Sequence, residues 1–257
     1  MRLGTNSRYL LELLAALGIE ALEALTKLPN YHKLVHCSSD QNFWRRANAL
    51  LDKGLLASDA PRSTGNWVAQ LTKSGKDAIT DGIDPETEWS RPWDRQWRLF
   101  AFDLPQGRGA ERQALRLWMK QRRLGMLQHS LWITPKDLGN WTADLNSRKI
   151  DPSAVALIRG EFEGGKAPID YVNAAWDFEK TNAQYDRYLE FLGTQNPSVL
   201  GHDQMSDWFQ SEVALWRAAF ALDPFFPREL WPSIYLGEQA YAARKAAYQT
   251  WKDRLLG

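Results

Sequence analysis

Leu10, Leu13, Leu14 and Leu17 fall on one stripe at helical spacing, with Ser7 ahead of them as an N-cap and Gly18 behind as a breaker. Residues 7–17 therefore read as an amphipathic helix. A second short helix is expected over 19–28, ended by Pro29-Asn30, while residues 31–37 (YHKLVHC) read equally as a short helix or an extended connection. Ser38 with Gln41 three positions on suggests a capping box, opening a helix that runs to about Lys53 and stops at Gly54. Leu55–Ala57 and Trp67–Leu71 flank a polar, turn-rich segment and read as two short strands. Thr72-Lys73-Ser74-Gly75 then opens a short helix through Ile79. Helices, a helix with polar outer positions, a β-hairpin and a closing helix together describe an N-terminal winged helix-turn-helix over residues 1–80.

Residues 81–95 hold two prolines and several acids without periodicity and read as a linker. Trp97–Leu104 (WRLFAFDL) has the content of a buried strand stopped by Pro105, and a helix is expected from about Ala110 to Leu124. Met126–Thr134 reads as a second strand, Lys136–Asn146 as a helix behind Pro135, Ser153–Ile158 as a third strand, with an uncertain fourth near Pro168–Val172. That order is most economically a ferredoxin-like central domain over 96–172. From Trp176 onward aromatics fall at helical spacing, so 173–257 reads as a helical C-terminal domain with a last helix near 237–255. The fold class expected is α+β.

Composition narrows the chemistry. The 257 residues are 44% hydrophobic and carry a formal net charge of +1, so no overall charge announces a polyanionic partner. The balance is uneven, however: residues 108–136 carry seven Lys/Arg against one Asp/Glu, whereas 170–257 carry eight against twelve. A basic front and an acidic tail suit a protein of which one part meets phosphate; uneven solvated surface accounts for the counts as well. The single cysteine, Cys37, excludes an internal disulfide and a Cys-based zinc cluster, and four scattered histidines leave little for a metal site. No signal-peptide layout and no apolar run of the roughly 20 residues needed to span a bilayer is present, so a reduced, cytoplasmic protein with no membrane partner is expected.

On the helix 40–53, Phe43, Ala47, Leu50 and Leu51 share a core arc, and the opposite arc presents Gln41, Arg45, Asn48 and Asp52. Gln, Arg and Asn are the side chains that contact adenine and guanine edges in the major groove. Ser39 at the helix start and the flanking Trp44 and Arg46 complete this candidate DNA-binding set, together with Arg62, Thr64 and Asn66 of the wing loop, which would lie along phosphate or in the minor groove. An exposed polar face with no partner is the competing reading. On the helix 110–124, Ala114, Leu117, Trp118 and Gln121 form one side, and Arg112, Arg116, Lys120 and Arg123 form a basic stripe opposite, suited to phosphates of DNA or of an effector, or simply to solvent. Thirteen tryptophans exceed ordinary usage; Trp118, Trp132, Trp176, Trp208, Trp216 and Trp231 fit either core packing or the lining of a pocket for a flat ligand.

Three runs carry a resemblance. WDRQWRLFAFDLP, a basic helix ending Leu124-Gly125 and LQHSLWITP are similar to the central region of the phenylacetate-degradation operon repressors, the PaaX family. AAWDFEKTNAQYDRYLEFL resembles that family's W-D…Y segment, and WRAAFALDPFFPRELWP followed by Gly237 resembles its C-terminal D-P-x-L-P-x-E-L-x-P motif. The runs occur in the family's order over roughly residues 90–240; LTKSGKDAI and Gly54-Leu55-Leu56 look like the end of its winged helix. Trp44 and Ala49 stand where basic residues of the family's recognition helix are expected, and Phe226 replaces the usual leucine. The resemblance implies a GntR-like winged helix for double-stranded operator DNA, a central domain similar to a small CRISPR-associated nuclease subunit, and a homodimeric repressor of a catabolic operon relieved by an aryl- or acyl-CoA-type effector. Arg112, Arg116, Lys120, Arg123 and Trp176 are then the candidate effector or phosphate contacts.

Catalysis is not expected. Asp103 ends the first central strand where the resembling nucleases place a metal-binding aspartate, which makes a metal-dependent nuclease the alternative, but no second clustered acid accompanies it. No G-x-S-x-G, GxxxxGK[ST] or H-E-x-x-H run is present, His129 is read as strand structure, and no cofactor or metal is called for.

Overall fold

The computed structural model describes residues 4–18, 26, 30–58, 69–105 and 107–256. The helix expected over 19–28, all but Thr26, and the wing loop with Arg62, Thr64 and Asn66 lie outside the described residues. Contacts group the chain into two units, the first drawing on residues 1–84, 184–220 and 236–257 and the second on 85–183 and 221–235.

In the first unit, helix α1 (Thr5–Leu17) buries Leu10, Leu11, Leu13, Leu14 and Leu17 and starts two residues before the expected Ser7, with Gly4 as its N-cap. Residues 31–35 form a 3₁₀ turn, and helix α2 follows over Asp40–Asp52. Its N-cap is Ser39, whose Oγ accepts from the Asn42 N–H at 3.3 Å, instead of the expected Ser38 with Gln41. Strands β1 (Leu56–Ser58) and β2 (Ala69–Leu71) pair antiparallel, Leu56 opposite Leu71. Helix α3 (Lys73–Thr80) begins at the Thr72 cap, which accepts from the Gly75 N–H at 3.0 Å. A Cβ on Gly75 would stand 2.1 Å from the Leu55 carbonyl, so only glycine lets α3 lie this close to the strand.

The second unit opens with helix α4 (Pro85–Ser90), so the stretch read as a linker is partly helical; its Trp89 is buried among Phe225, Trp231 and Tyr235. Strand β3 (Trp97–Phe102) leads to helix α5 (Gly109–Gln121). The run expected as one strand is a hairpin: β4 (Gly125–Gln128) and β5 (Leu131–Thr134) are joined through His129-Ser130, an exposed turn. After helix α6 (Trp141–Ser147), which starts at the Asn140 cap well beyond Lys136, come strand β6 (Val155–Gly160) and helix α7 (Pro168–Ala175). The last is the segment expected as a strand. Pro168 sits at its first turn and the Asp170 carboxylate accepts from the Ala167 N–H at 2.9 Å, which together start a helix.

The four strands order as β4-β5-β3-β6, every pair antiparallel, the ferredoxin-like arrangement expected for this segment. Strand alternation divides two cores. Phe100, Phe102 and Trp132 meet Leu115, Trp118 and Met119 of α5 and Leu145 of α6; Trp97 and Ile133 face the other way, toward Val172 of α7 and Phe226 and Leu230. Gly125 is obligatory here, because a Cβ would meet the Trp176 ring at 2.6 Å. The Asp223-to-Pro227 turn belongs to this unit: buried Asp223 accepts from the Phe225 N–H at 2.7 Å and the Tyr235 hydroxyl at 2.5 Å, holding Phe225 at φ 51°.

The remaining helices are α8 (Phe178–Thr194), α9 (His202–Phe220) and α10 (Gly237–Leu256). Met205, Trp208, Phe209 and Val213 of α9 and Trp251 and Leu255 of α10 share one core with the leucines of α1 and with Phe43, Ala47 and Leu50 of α2. The tail read from sequence as a domain of its own thus has residues 184–220 and 236–257 in the first unit and residues 173–183 and 221–235 in the second.

Candidate nucleic-acid interface

Helix α2 is amphipathic because Phe43, Ala47 and Leu50 recur at the spacing of one turn and all three are buried. Packing that stripe leaves the opposite side in solvent. Gln41, Arg45, Ala49 and Asp52 are exposed and Asn48 half-buried, and with Asn42 and Trp44 they line one open surface. The reading set Gln41, Arg45 and Asn48 is therefore brought together on one face, as the spacing predicts.

Asn42, which sequence reasoning passed over, organises the start of that face. Its Nδ2 donates to Ser38 Oγ at 2.5 Å and its Oδ1 accepts from the Arg45 NH2 at 2.9 Å. The guanidinium of Arg45 is thus steered by a neighbour one turn back while staying in solvent, a geometry that lowers the ordering cost of a bidentate contact. The signal was present as a polar i, i+3 pair. Asn48 Oδ1 is hidden without a hydrogen-bond partner among the described residues.

One member of the expected set faces elsewhere. Arg46 turns toward the Cys37 thiol, with its Nε buried and unpaired among the described residues. Trp44 is half-buried, edge-on to Phe43 at 5.3 Å. Ser39 is the cap. Burial pushes the Cys37 thiol up, opposed by Arg46, so the thiolate a redox role needs is disfavoured.

The basic stripe of α5 is not continuous. The buried side of the helix is Leu115, Trp118 and Met119, whereas Leu117 is 52% exposed, so the true core face is rotated from the expected one. Arg112 NH2 donates to the Leu104 and Pro105 carbonyls at 2.6 and 3.1 Å. Arg123 NH1 donates to the Asp223 carbonyl at 2.6 Å and its guanidinium lies 5.1 Å from the Phe225 ring. Trp176 is equally committed, donating Nε1–H to the Arg123 carbonyl at 3.0 Å and packing edge-on against Phe226. Lys120 is exposed and Arg116 half-buried with an unpaired Nε among the described residues. Two of the four cations are thus tied to backbone carbonyls. The six tryptophans are spread through separate packing clusters: Trp118 and Trp132 on one side of the sheet, Trp176 and Trp231 on the other, Trp208 in the first unit's core and Trp216 beside Tyr188.

Asp103 is exposed at the end of β3, and no group of three or more His, Cys, Asp or Glu placed to hold a metal occurs among the described residues. Among those residues, too, no helix is long and apolar enough to cross a membrane.

Comparison with known proteins bears out the resemblance over the central segment. Residues 90–172 match the family described as the PaaX protein central Cas2-like domain. A solved structure, the uncharacterized protein Rv0674 from Mycobacterium tuberculosis, is 20% identical with a TM-score of 0.58, the match covering 97% of this chain and 94% of that one. At that identity the likeness shows a shared fold. No curated protein matches the chain.

Proposed function

We propose that this chain, whose residues 90–172 are of PaaX type, is a DNA-binding transcriptional regulator that acts as a homodimeric repressor of a catabolic operon in the cytoplasm. The observation that carries the reading is the face of α2, where Gln41 and Arg45 project, with Asn48 half-buried on the same face, from a capped helix whose other side is packed. The order of elements around it, helix, 3₁₀ turn, capped helix, two-stranded antiparallel pair and closing helix, supports a winged helix-turn-helix with α2 in the major groove. Two copies would meet half-sites one helical turn apart, which is the reason for reading a dimer. Relief by an aryl- or acyl-CoA-type effector belongs to the same reading; Lys120 and Arg116 are the cations left for its phosphates. The reading assigns no catalytic role to Asp103 and needs no cofactor.

Sequencing of genomic fragments captured by the full chain identifies the operator, and mobility shift on that operator tests the helix. Arg45→Ala weakens specific binding by about 1–3 kcal/mol and relaxes preference at one base position. Unchanged affinity removes Arg45 from the reading set, and capture of no fragment above background overturns the regulator reading.

A further inference from the structure

A hollow of about 220 Å³ opens on the second unit where the end of α4, the start of β3 and the chain just after β5 converge. Its floor is the buried Arg98, whose NH1 and NH2 donate to the two Asp94 oxygens at 2.8 and 2.5 Å, with NH1 also donating to the Gln96 and Pro135 carbonyls. NH1 of Arg98 is therefore fully engaged, and the guanidinium holds the Asp94 carboxyl down to about 2, so Asp94 stays ionised.

The cations around that floor are not saturated. Lys136 Nζ lies 2.7 Å from Glu88 Oε2, with only 19% of its side chain exposed. Glu88 is its single hydrogen-bond partner among the described residues, with the Asp223 charge acting from farther off, which leaves two of the three ammonium hydrogens unmatched. Glu88 Oε1 is taken by Arg91 NH2 at 2.9 Å, so both oxygens of that acid are occupied. Arg159 reaches Asp94 with one nitrogen at 3.2 Å, and Asp137 Oδ1 accepts from the Gly139 N–H. Donors thus outnumber acceptors in a place where burial already pushes the Lys136 ammonium below the usual lysine range, with Glu88 opposing. The remaining walls are rigid and apolar: Pro92, Pro135, Pro227 and the Trp93 ring.

We propose that this hollow binds a small organic carboxylate, its carboxylate received by Lys136 and Arg91 and its compact apolar body set against the proline and Trp93 walls. Arg offers a fork matched to a carboxylate, Lys a point charge, and prolines lose no rotamer freedom when a ligand packs on them. The volume lies below the roughly 300–1,000 Å³ of cavities that enclose drug-sized ligands, so a nucleotide-bearing molecule does not fit inside. The site is independent of the DNA reading, since all its residues lie in the second unit.

Isothermal titration of the full chain with benzoate, cyclohexanecarboxylate and pentanoate tests the proposal, with benzyl alcohol and inorganic phosphate as counterparts. Saturable binding of at least one carboxylate is expected, with no binding of the alcohol and at least tenfold weakening in Lys136→Met. Because Lys136→Met leaves Glu88 uncompensated, the charge-neutral double variant Lys136→Met/Glu88→Gln, checked for a wild-type melting curve, must show the same loss. Failure of all three carboxylates to bind, unchanged affinity in the double variant, or binding of phosphate in preference to every carboxylate overturns it.

Discussion

Glu12 sits in the middle of the leucine run of α1 and is itself buried, an acid where the helical stripe calls for an apolar residue. Its partner is Arg244 of α10, whose NH2 lies 3.4 Å from Glu12 Oε2 and whose Nε donates to Glu212 Oε1 at 2.9 Å. Glu212, fully buried on α9, also accepts from the Tyr188 hydroxyl at 2.7 Å and from the Tyr248 hydroxyl, and the guanidinium lies 4.7 Å from the Trp216 and Tyr248 rings. One cation serves two carboxylates, so removing it strands both: Arg244→Met lowers unfolding free energy by about 3–5 kcal/mol in urea titration. Burial holds the Glu12 carboxyl above the usual carboxylate range against Arg244 and with Glu212, so the folded state binds the extra proton. Stability therefore falls as pH rises through the ordinary glutamate range toward the raised value, and that part of the pH dependence disappears in Glu12→Gln. Asp144 works in the opposite sense. Burial raises its pKa, but hydrogen bonds from Trp118, Arg122 and Arg148 outweigh this and bring it to about 2 from 3.8. Its contribution, about 1 kcal/mol after screening, is present above the unfolded pKa and lost as pH falls toward 2. Asp144→Asn loses that acid-dependent component when urea midpoints are compared between pH 2 and 5.

At the scale of elements, the features read correctly from the chain are those written by near neighbours. Gly18 and Gly54 follow α1 and α2, Thr72 caps α3, and the alternation of β3 is visible over six residues. The cap of α2 illustrates the limit of that reading, because Ser38 and Ser39 both satisfy the local rule and the backbone chooses Ser39. Ser39→Ala costs about 1 kcal/mol, read as a lower denaturation midpoint, whereas Ser38→Ala loses only the exposed contact from Asn42. The hairpin β4-β5 was legible only as one strand, since His129-Ser130 carries no glycine or proline to mark the turn. The rotation of α5 was ambiguous for a different reason: Leu115, Leu117, Trp118 and Met119 give two apolar stripes about one residue apart, and only contact with Phe100 and Trp132 selects between them.

The core of the first unit gathers residues from Leu10 to Leu255, with α1 and α2 packed in one cluster with Trp208 and Phe209 of α9 and Trp251 of α10. The segment carrying the candidate DNA-reading face does not own its core. Deleting residues 237–257 removes Trp251, Leu255 and the Arg244 anchor, so the truncated chain is expected to lose cooperative unfolding of this unit and specific DNA binding together, although α2 is untouched. Residues 1–84 expressed alone are expected to lack a cooperative melting transition for the same reason; circular dichroism on each fragment checks both.

By itself the chain determined the helical and strand segments that neighbouring residues specify, the α+β class and the polar arc of α2, because periodicity, caps and prolines act within a few residues of themselves. The tertiary structure alone decided which cations stay free, which face of α5 is buried, and that Glu12 meets Arg244 across 232 positions. Those outcomes depend on desolvation by distant partners, and burial of a charge is set by whatever arrives against it, which no local pattern encodes.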